Sequence, residues 1–335
     1  MENVPPQQQL SQMLTGYWIS QALYVAAKLG LADLMQSAAK TADEVASATA
    51  AHPRALYRLL RALASVGVFA EDEPHRFCLT PLAECLRSDV PGSQRSMAVM
   101  MGEEHYHAFG ELLHSVRTGQ PGFEKLYRQP VFEFLTRHPE QAQIFDEAMV
   151  GVHGRETAAL LEAYDLSGVR TLADIGGGNG SLLTAVLSKY PTMRGILFDL
   201  PSVVERAKAN IKAAGLAERC QVAGDNFFEA VTRGADAYLL RHIIHDWDDE
   251  RATKILQNVH RAISAAGKLL VVESVIPPGN DPSFGKLLDL TMLVIPGGQE
   301  RTEEEYRALY AAAGFRLTRI VPTTAEVSVI EGHKA

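Results

Sequence analysis

The chain has 335 residues, 47% hydrophobic and 21% charged, with a formal net charge of −8. That is ordinary globular composition for a chain long enough to hold two cores, and it excludes a disordered or low-complexity protein. The negative charge disfavours a polyanionic partner, and no run of Lys and Arg concentrates a basic patch, so nucleic acid is not expected as a partner.

The first ten residues, MENVPPQQQL, are polar and lack a signal-peptide core. No apolar stretch approaches the ~20 residues needed to span a bilayer, so no membrane association is expected. From Gln8 to Met35, apolar residues recur at helical spacing: Met13, Tyr17, Ile19, Leu23, Ala26, Leu31, Leu34. Few polar residues interrupt them, and a helix apolar on several faces is buried on several faces, often at a subunit interface. Thr41-Ala-Asp-Glu44 reads as a capping box that starts the next helix. His52-Pro53-Arg54 opens another over Ala55–Val66, with Leu56, Leu59, Leu60 and Leu63 on one stripe and Gly67 at its end. Val68-Phe69-Ala70, a turn at Glu71–Pro74 and Phe77-Cys78-Leu79 predict a short hairpin. Helices and a hairpin in this order describe a winged-helix module. Residues 1–100 carry eight Lys/Arg against nine Asp/Glu, so the electrostatic term that dominates DNA affinity is missing. A packing and dimerisation role is the better reading. Cys78, Cys85 and Cys220 are too few and too scattered for a disulfide framework or a zinc site, and a reducing cytoplasm is the expected location.

Residues 101–165 read as further helices, broken at Thr118–Gly122 and His138-Pro139. From residue 166 to 335 the rhythm changes. Strands are predicted at Thr171–Ile175, Gly195–Phe198, Cys220–Ala223, Ala235–Leu240 and Lys268–Val275. Helices are predicted near Leu182–Lys189, Ser202–Ala214, Glu250–Ala265 and Glu303–Ala313. This alternation predicts an open parallel sheet covered on both faces, a Rossmann-like α/β domain. Phe315–Val321 and Ala325–Ile330 are joined too tightly for a parallel crossover and predict a terminal antiparallel hairpin.

Leu172-Ala-Asp-Ile-Gly-Gly-Gly-Asn-Gly180 follows a strand and precedes a helix. Gly176, Gly178 and Gly180 let the backbone turn tightly and approach a ligand. Asp199 ends the next strand, 23 residues after Gly176, where an acid accepts from ribose hydroxyls. A nicotinamide dinucleotide is the rival ligand, but its third glycine would come one residue later. Asp174 would also repel a pyrophosphate, whereas it suits an amino acid's ammonium. The balance favours S-adenosylmethionine; a glycine-rich turn without a ligand is the bland alternative. Asp225 can accept from an adenine amine, Asn226 or Phe227 can lie against the purine, and Arg241 can meet a carboxylate. A polar turn followed by core aromatics would read the same way at 224–228.

Arg241-His-Ile-Ile-His-Asp-Trp-Asp-Asp-Glu250 is the most specific stretch. His245 stands where a strand leaves the sheet, and an unperturbed imidazole there is mostly neutral at pH 7 and able to accept a proton. Glu273 and Glu300 are carboxylates at comparable positions, which gives a base with orienting groups. The alternative is a satisfied surface histidine. His242 is expected on the opposite face of the strand, as supporting structure. No recognisable metal-ligand set is present, and no metal is expected.

These segments, with Phe198-Asp-Leu-Pro201, Gly224–Phe227 and Gly297–Thr302, resemble the plant-type small-molecule O-methyltransferases, which include caffeic-acid, hydroxyindole, polyketide and phenazine enzymes. The resemblance covers nearly the whole chain. It implies an enzyme that uses S-adenosylmethionine to methylate a hydroxyl of a small aromatic acceptor. It also implies a homodimer built on intertwined N-terminal winged-helix domains. By position, Gly176, Asp199, Asp225, Asn226 and Arg241 match cofactor contacts, His245 the general base, and Glu273 and Glu300 the carboxylates that hold it. Phe145, Met149 and Met292 fall where relatives line the acceptor pocket, and His153 lies close to another such position. Residues 103–107 could reach the same pocket, though a solvated helix face is the better reading of that segment. Ile295 departs from the Asn that some plant enzymes place there, so phenylpropanoid specificity does not carry over. Two other readings stay open: N- or C-methylation or a non-methylating rearrangement or decarboxylation by an enzyme of this fold, and a ligand-sensing winged-helix regulator.

Overall fold

A computed structural model describes residues 4–335, except the side chains of residues 152 and 153. It divides into two units. The first takes in residues up to His107 and Leu135–Val152; the second takes in Ala108–Phe134 and His153–Ala335. Among the described residues, no helix is long and apolar enough to cross a membrane.

In the first unit the apolar N-terminal run is three helices, Pro6–Leu14, Gly16–Lys28 and Leu31–Leu34. The first break falls at Thr15, whose hydroxyl bonds back to the Ser11 carbonyl at 2.9 Å, the second at Gly30, in the left-handed region at φ 64°. β1 (Lys40–Thr41) leads into the helix Ala42–Thr49 through the expected capping box: the Thr41 hydroxyl accepts from Glu44 N–H, and Glu44 accepts from Thr41 N–H. Helix Pro53–Ser65 buries Leu56, Leu60 and Leu63. The hairpin of β2 (Phe69–Glu73) and β3 (Arg76–Leu79) follows. β1 pairs antiparallel with β3, so the hairpin gains a third strand. Leu31, Val45, Leu60, Phe69 and Phe77 centre this core.

The second unit holds a seven-stranded sheet. Its strands are β4 (Thr171–Ile175), β5 (Arg194–Asp199), β6 (Cys220–Gly224), β7 (Ala237–Arg241), β8 (Lys268–Glu273), β11 (Phe315–Pro322) and β12 (Ser328–Lys334). The order is β11-β12-β8-β7-β4-β5-β6; β4 to β8 are parallel, and the terminal hairpin runs antiparallel to β8. Alternate side chains feed two cores, as a sheet covered on both faces requires. Leu172, Leu197 and Leu239 meet helices Ser181–Lys189 and Pro201–Ala213. Ala173, Phe198 and Leu240 meet helices Asp249–Ala262 and Glu303–Ala312.

The run expected at Lys268–Val275 is divided. β8 stops at Glu273, and β9 (Val275–Ile276) pairs instead with β10 (Arg301–Thr302) in a separate parallel ladder. The helix Phe284–Val294 between them has no counterpart among the predicted elements. The chain leaves the sheet at β6 and returns beside β4 as β7, so strand order reverses between β4 and β7. Ligands of open α/β sheets bind at such a reversal, beyond the carboxyl ends of the strands.

Candidate active site

At the reversal, β4 runs into Gly176 at φ 71°, where a Cβ would lie 2.3 Å from Ile243 Cδ1; only glycine fits. Gly178, at φ 57°, has open space beside it and donates its N–H to Asp199 Oδ2 at 2.9 Å. The other Asp199 oxygen accepts from Leu200 N–H at 2.7 Å. Asp199 thus fastens the glycine turn to the end of β5. Asp174 is buried, and its Oδ2 has no hydrogen-bond partner. Burial pushes its pKa up to about 7, against the opposing charge of Arg241 and with the help of Asp199. Arg241 at the end of β7 donates to Thr157 Oγ1 at 2.8 Å. Burial lowers its pKa, while Asp174 and Glu156 counter that.

An orphaned buried carboxylate and a half-buried guanidinium at one sheet edge complement a zwitterion: an ammonium would satisfy Asp174, and a carboxylate would meet Arg241. The residues present therefore fit the amino-acid end of S-adenosylmethionine. Beyond β6, Asp225 is exposed and accepts from Asn226 N–H at 2.7 Å. The Asn226 side chain accepts from Phe228 N–H at 2.9 Å and so closes a local turn. The Phe227 ring joins Phe228 and Trp247, with centroids 4.9 and 6.2 Å away.

β7 ends at Arg241, and with it the strand alternation. His242 turns into the left-handed region at φ 53°, and Ile244–Asp246 form a 3₁₀ turn. The expectation that His242 faces away from His245 is therefore overturned. Their ring centroids lie 5.0 Å apart, and His242 Nε2 is 2.9 Å from Glu156 Oε2.

His245 Nδ1 sits 2.6 Å from Glu300 Oε1, and both side chains are buried. Glu300 Oε2 has no partner. Burial disfavours the imidazolium, but the hydrogen bond to Glu300 and the charges of Asp246, Glu300 and Glu273 outweigh it, and the His245 pKa is pushed up to about 10. The imidazole is therefore not the unperturbed group expected from the sequence: the surrounding carboxylates favour its protonated form. Asp246 is pushed up to about 7 by burial, with His245 opposing and Glu273 and Glu300 adding.

Glu273 does not touch the imidazole. Its Oε1 accepts the backbone N–H groups of Ile243, Ile244 and His245 at 3.0, 2.6 and 3.2 Å, and its Oε2 accepts from the Tyr306 hydroxyl at 2.6 Å. It fixes the turn and reaches the ring only through its charge.

Of the acceptor-pocket candidates, Met292 is buried in the second unit on the helix Phe284–Val294, and Ile295 follows it, also buried. Phe145 and Met149 are half-buried on the part of helix Pro139–Ala163 that belongs to the first unit. The side chain of His153 lies outside the described residues. In the 103–107 segment, Glu103 is engaged by Tyr24 at 3.1 Å and Lys28 at 2.6 Å, and His105 is buried. Sequence reasoning missed Glu156 and Thr157, which meet His242 and Arg241 from 84 to 86 residues away. Only the polar Arg-Glu-Thr step in an otherwise apolar helix stretch hinted at them.

Residues 11–89 match the O-methyltransferase dimerisation domain, and residues 109–316 match the O-methyltransferase domain. A phenazine O-methyltransferase of Lysobacter antibioticus is 48% identical over 330 residues, covering 98% of this chain and 97% of that protein. A mitomycin biosynthesis 6-O-methyltransferase of Streptomyces lavendulae is 38% identical over 331 residues, covering 97% and 94%. Among solved structures, the O-methyltransferase of neocarzinostatin biosynthesis, in complex with S-adenosylmethionine and 2-hydroxy-5-methyl naphthoic acid, superposes with a TM-score of 0.84 at 34% identity, covering 94% and 96%.

Proposed function

Because the chain belongs to the S-adenosylmethionine-dependent O-methyltransferase family, we propose that it methylates a phenolic hydroxyl of a small fused-ring aromatic acceptor, with His245 as the proton acceptor. The observation that carries this reading is the buried 2.6 Å contact between His245 Nδ1 and Glu300 on a turn fixed at the sheet's carboxyl edge. The acceptor class follows the relatives, which act on a phenazine or bind a naphthoic acid. In this reading the chain works as a homodimer, with residues 1–100 for dimerisation, 101–165 as a helical pocket region and 166–335 holding the cofactor.

Asp174 and Arg241 would hold the amino-acid end of the cofactor, Asp199 its ribose, Asp225 its adenine, and Gly176 and Gly178 would let the backbone lie close. Bound there, S-adenosylmethionine supplies a methyl group on a sulfonium, a leaving group that needs no further activation. Positioning of the acceptor oxygen then supplies much of the rate. What is left for the chain is a proton. Glu300 holds one ring nitrogen of His245 and thereby directs the other, Nε2, to the acceptor hydroxyl.

The carboxylates around His245 raise its pKa, so it holds a proton more firmly than a free imidazole, and a phenol is largely un-ionised at neutral pH. One proton must leave the His245–phenol pair before transfer, so activity should rise as pH is raised above neutral.

The test is His245→Gln. General-base contributions are typically 10²–10⁴-fold, so turnover on a phenolic acceptor should fall by about that much while S-adenosylmethionine affinity holds. Higher pH should restore part of the loss, because the phenol then ionises unaided. A variant that keeps full rate at pH 7 with normal cofactor affinity would show that positioning alone suffices.

A further inference from the structure

The turn that carries His245 is gripped from two sides. On the amide side stands Glu273, accepting three consecutive N–H groups. On the carbonyl side stands Arg301, whose side chain is 0% exposed. Its Nη1 donates to Ile244 O at 3.2 Å and its Nη2 to Trp247 O at 2.9 Å. Between them, Gln299 N–H donates to His245 O at 2.8 Å. The guanidinium is anchored in turn by Asp249 Oδ1, which accepts from Nε at 3.0 Å and Nη2 at 2.9 Å and also from the Gln299 side chain at 2.7 Å.

We infer that Arg301 is a positioning residue for the proton acceptor: its guanidinium fixes the carbonyl side of the turn and so sets the distance at which Glu300 meets His245. The inference rests on the reading of His245 as the base. Glu300 and Arg301 are neighbours in the chain, so a single segment carries both the carboxylate for the ring and the donors for the ring's backbone. That segment is registered against the other grip, because β10 begins at Arg301 and pairs with β9, two residues beyond Glu273. The loop before it is pressed on the turn: a Cβ on Gly298 would lie 2.0 Å from His245 O.

A buried guanidinium gives no more stability than a well-packed apolar plug of its size. What it adds is direction, because five donors in a rigid planar fork reach several carbonyls at fixed angles. A lysine ammonium would carry the charge without the fork.

The experiment uses the full-length enzyme with Arg301→Lys and, separately, Asp249→Asn, which alters a carboxylate side chain 72% exposed. With 1-hydroxyphenazine as the probe acceptor, Arg301→Lys should lower kcat about 10- to 100-fold, the scale expected for misplacing a catalytic group. Titration with S-adenosylmethionine should give an unchanged Kd. The low-field proton NMR signal of His245 Nδ1–H, which reports its short bond to Glu300, should move upfield or broaden. Asp249→Asn should shift kcat and the signal in the same direction by a smaller amount.

Wild-type kcat with an unmoved signal, or a loss confined to Tm, would make Arg301 structural only and overturn the inference. If Arg301→Lys fails to fold, Asp249→Asn decides by the same readouts. The NMR signal tests the clamp without reference to catalysis. Failure of the base reading would appear instead as an active His245→Gln enzyme.

Discussion

Asp199 has the most to lose from a single substitution on the cofactor side. It accepts from Gly178 and Leu200, and so ties the glycine turn to the end of β5, where the ribose is proposed to lie. Asp199→Ala should weaken S-adenosylmethionine by ~1.5–3 kcal/mol, the range for hydrogen bonds to a charged group. Asp199→Asn should lose less, because its carbonyl can still accept from Gly178. Titration calorimetry checks both; an unchanged affinity for the Ala variant would place the ribose elsewhere. At the same scale, the two glutamates that looked equivalent in sequence divide the work around His245. Glu300 bonds the ring, and Glu273 bonds the backbone that carries it.

The terminal hairpin completes the sheet beside β8, and Glu331 on β12 fastens it to Tyr164 in the segment leading to β4. Its carboxylate accepts from the Tyr164 hydroxyl, from Arg319 Nη2 at 2.9 Å and from Thr318 Oγ1 at 3.0 Å. Burial opposes its charge, but these bonds outweigh that and bring its pKa from 4.5 down to about 2. The folded value lies below the unfolded one, so the stabilisation is complete above about pH 4.5 and is lost as pH falls toward 2. Glu331→Gln should cost about 1–2 kcal/mol at pH 7 once solvent screening is allowed for. It should also flatten the fall in Tm between pH 5 and 3. Thermal melts across that range check it; an equally steep fall in the variant would put the acid sensitivity elsewhere.

At the scale of the whole molecule, the N-terminal helices carry an exposed apolar surface. Leu10, Met13, Leu14, Tyr17, Trp18 and Ile19 are all exposed, 45% to 77%, on two consecutive helices. An apolar patch of that kind normally marks an interface, and it falls within residues 11–89, which match the dimerisation domain. Sedimentation at low micromolar concentration should give about twice 36.6 kDa. Trp18→Asp should shift the mass toward the monomer. A wild-type chain that stays a soluble monomer would count against the dimer.

What the sequence determined by itself was whatever depends on neighbours along the chain. Hydrophobic period marked most of the helices and the parallel strands, the Thr41 box marked a helix start, and the glycine turn between Asp174 and Asp199 marked the carboxyl edge where the cofactor is proposed to bind. These are short-range effects of backbone sterics and local hydrogen bonding, and they survive without a tertiary context. Tertiary structure decided which atoms meet across long separations. It brought Glu300 to His245 across 55 residues and Glu156 to His242 across 86. It altered two expectations for the same reason. His242 faces His245 because the amides after it are gathered by Glu273, which forces a left-handed residue where a strand would have alternated. The His245 pKa is raised because folding gathers Asp246, Glu273 and Glu300 around it, and the strength of charge at short range inside a protein is not written in any local pattern.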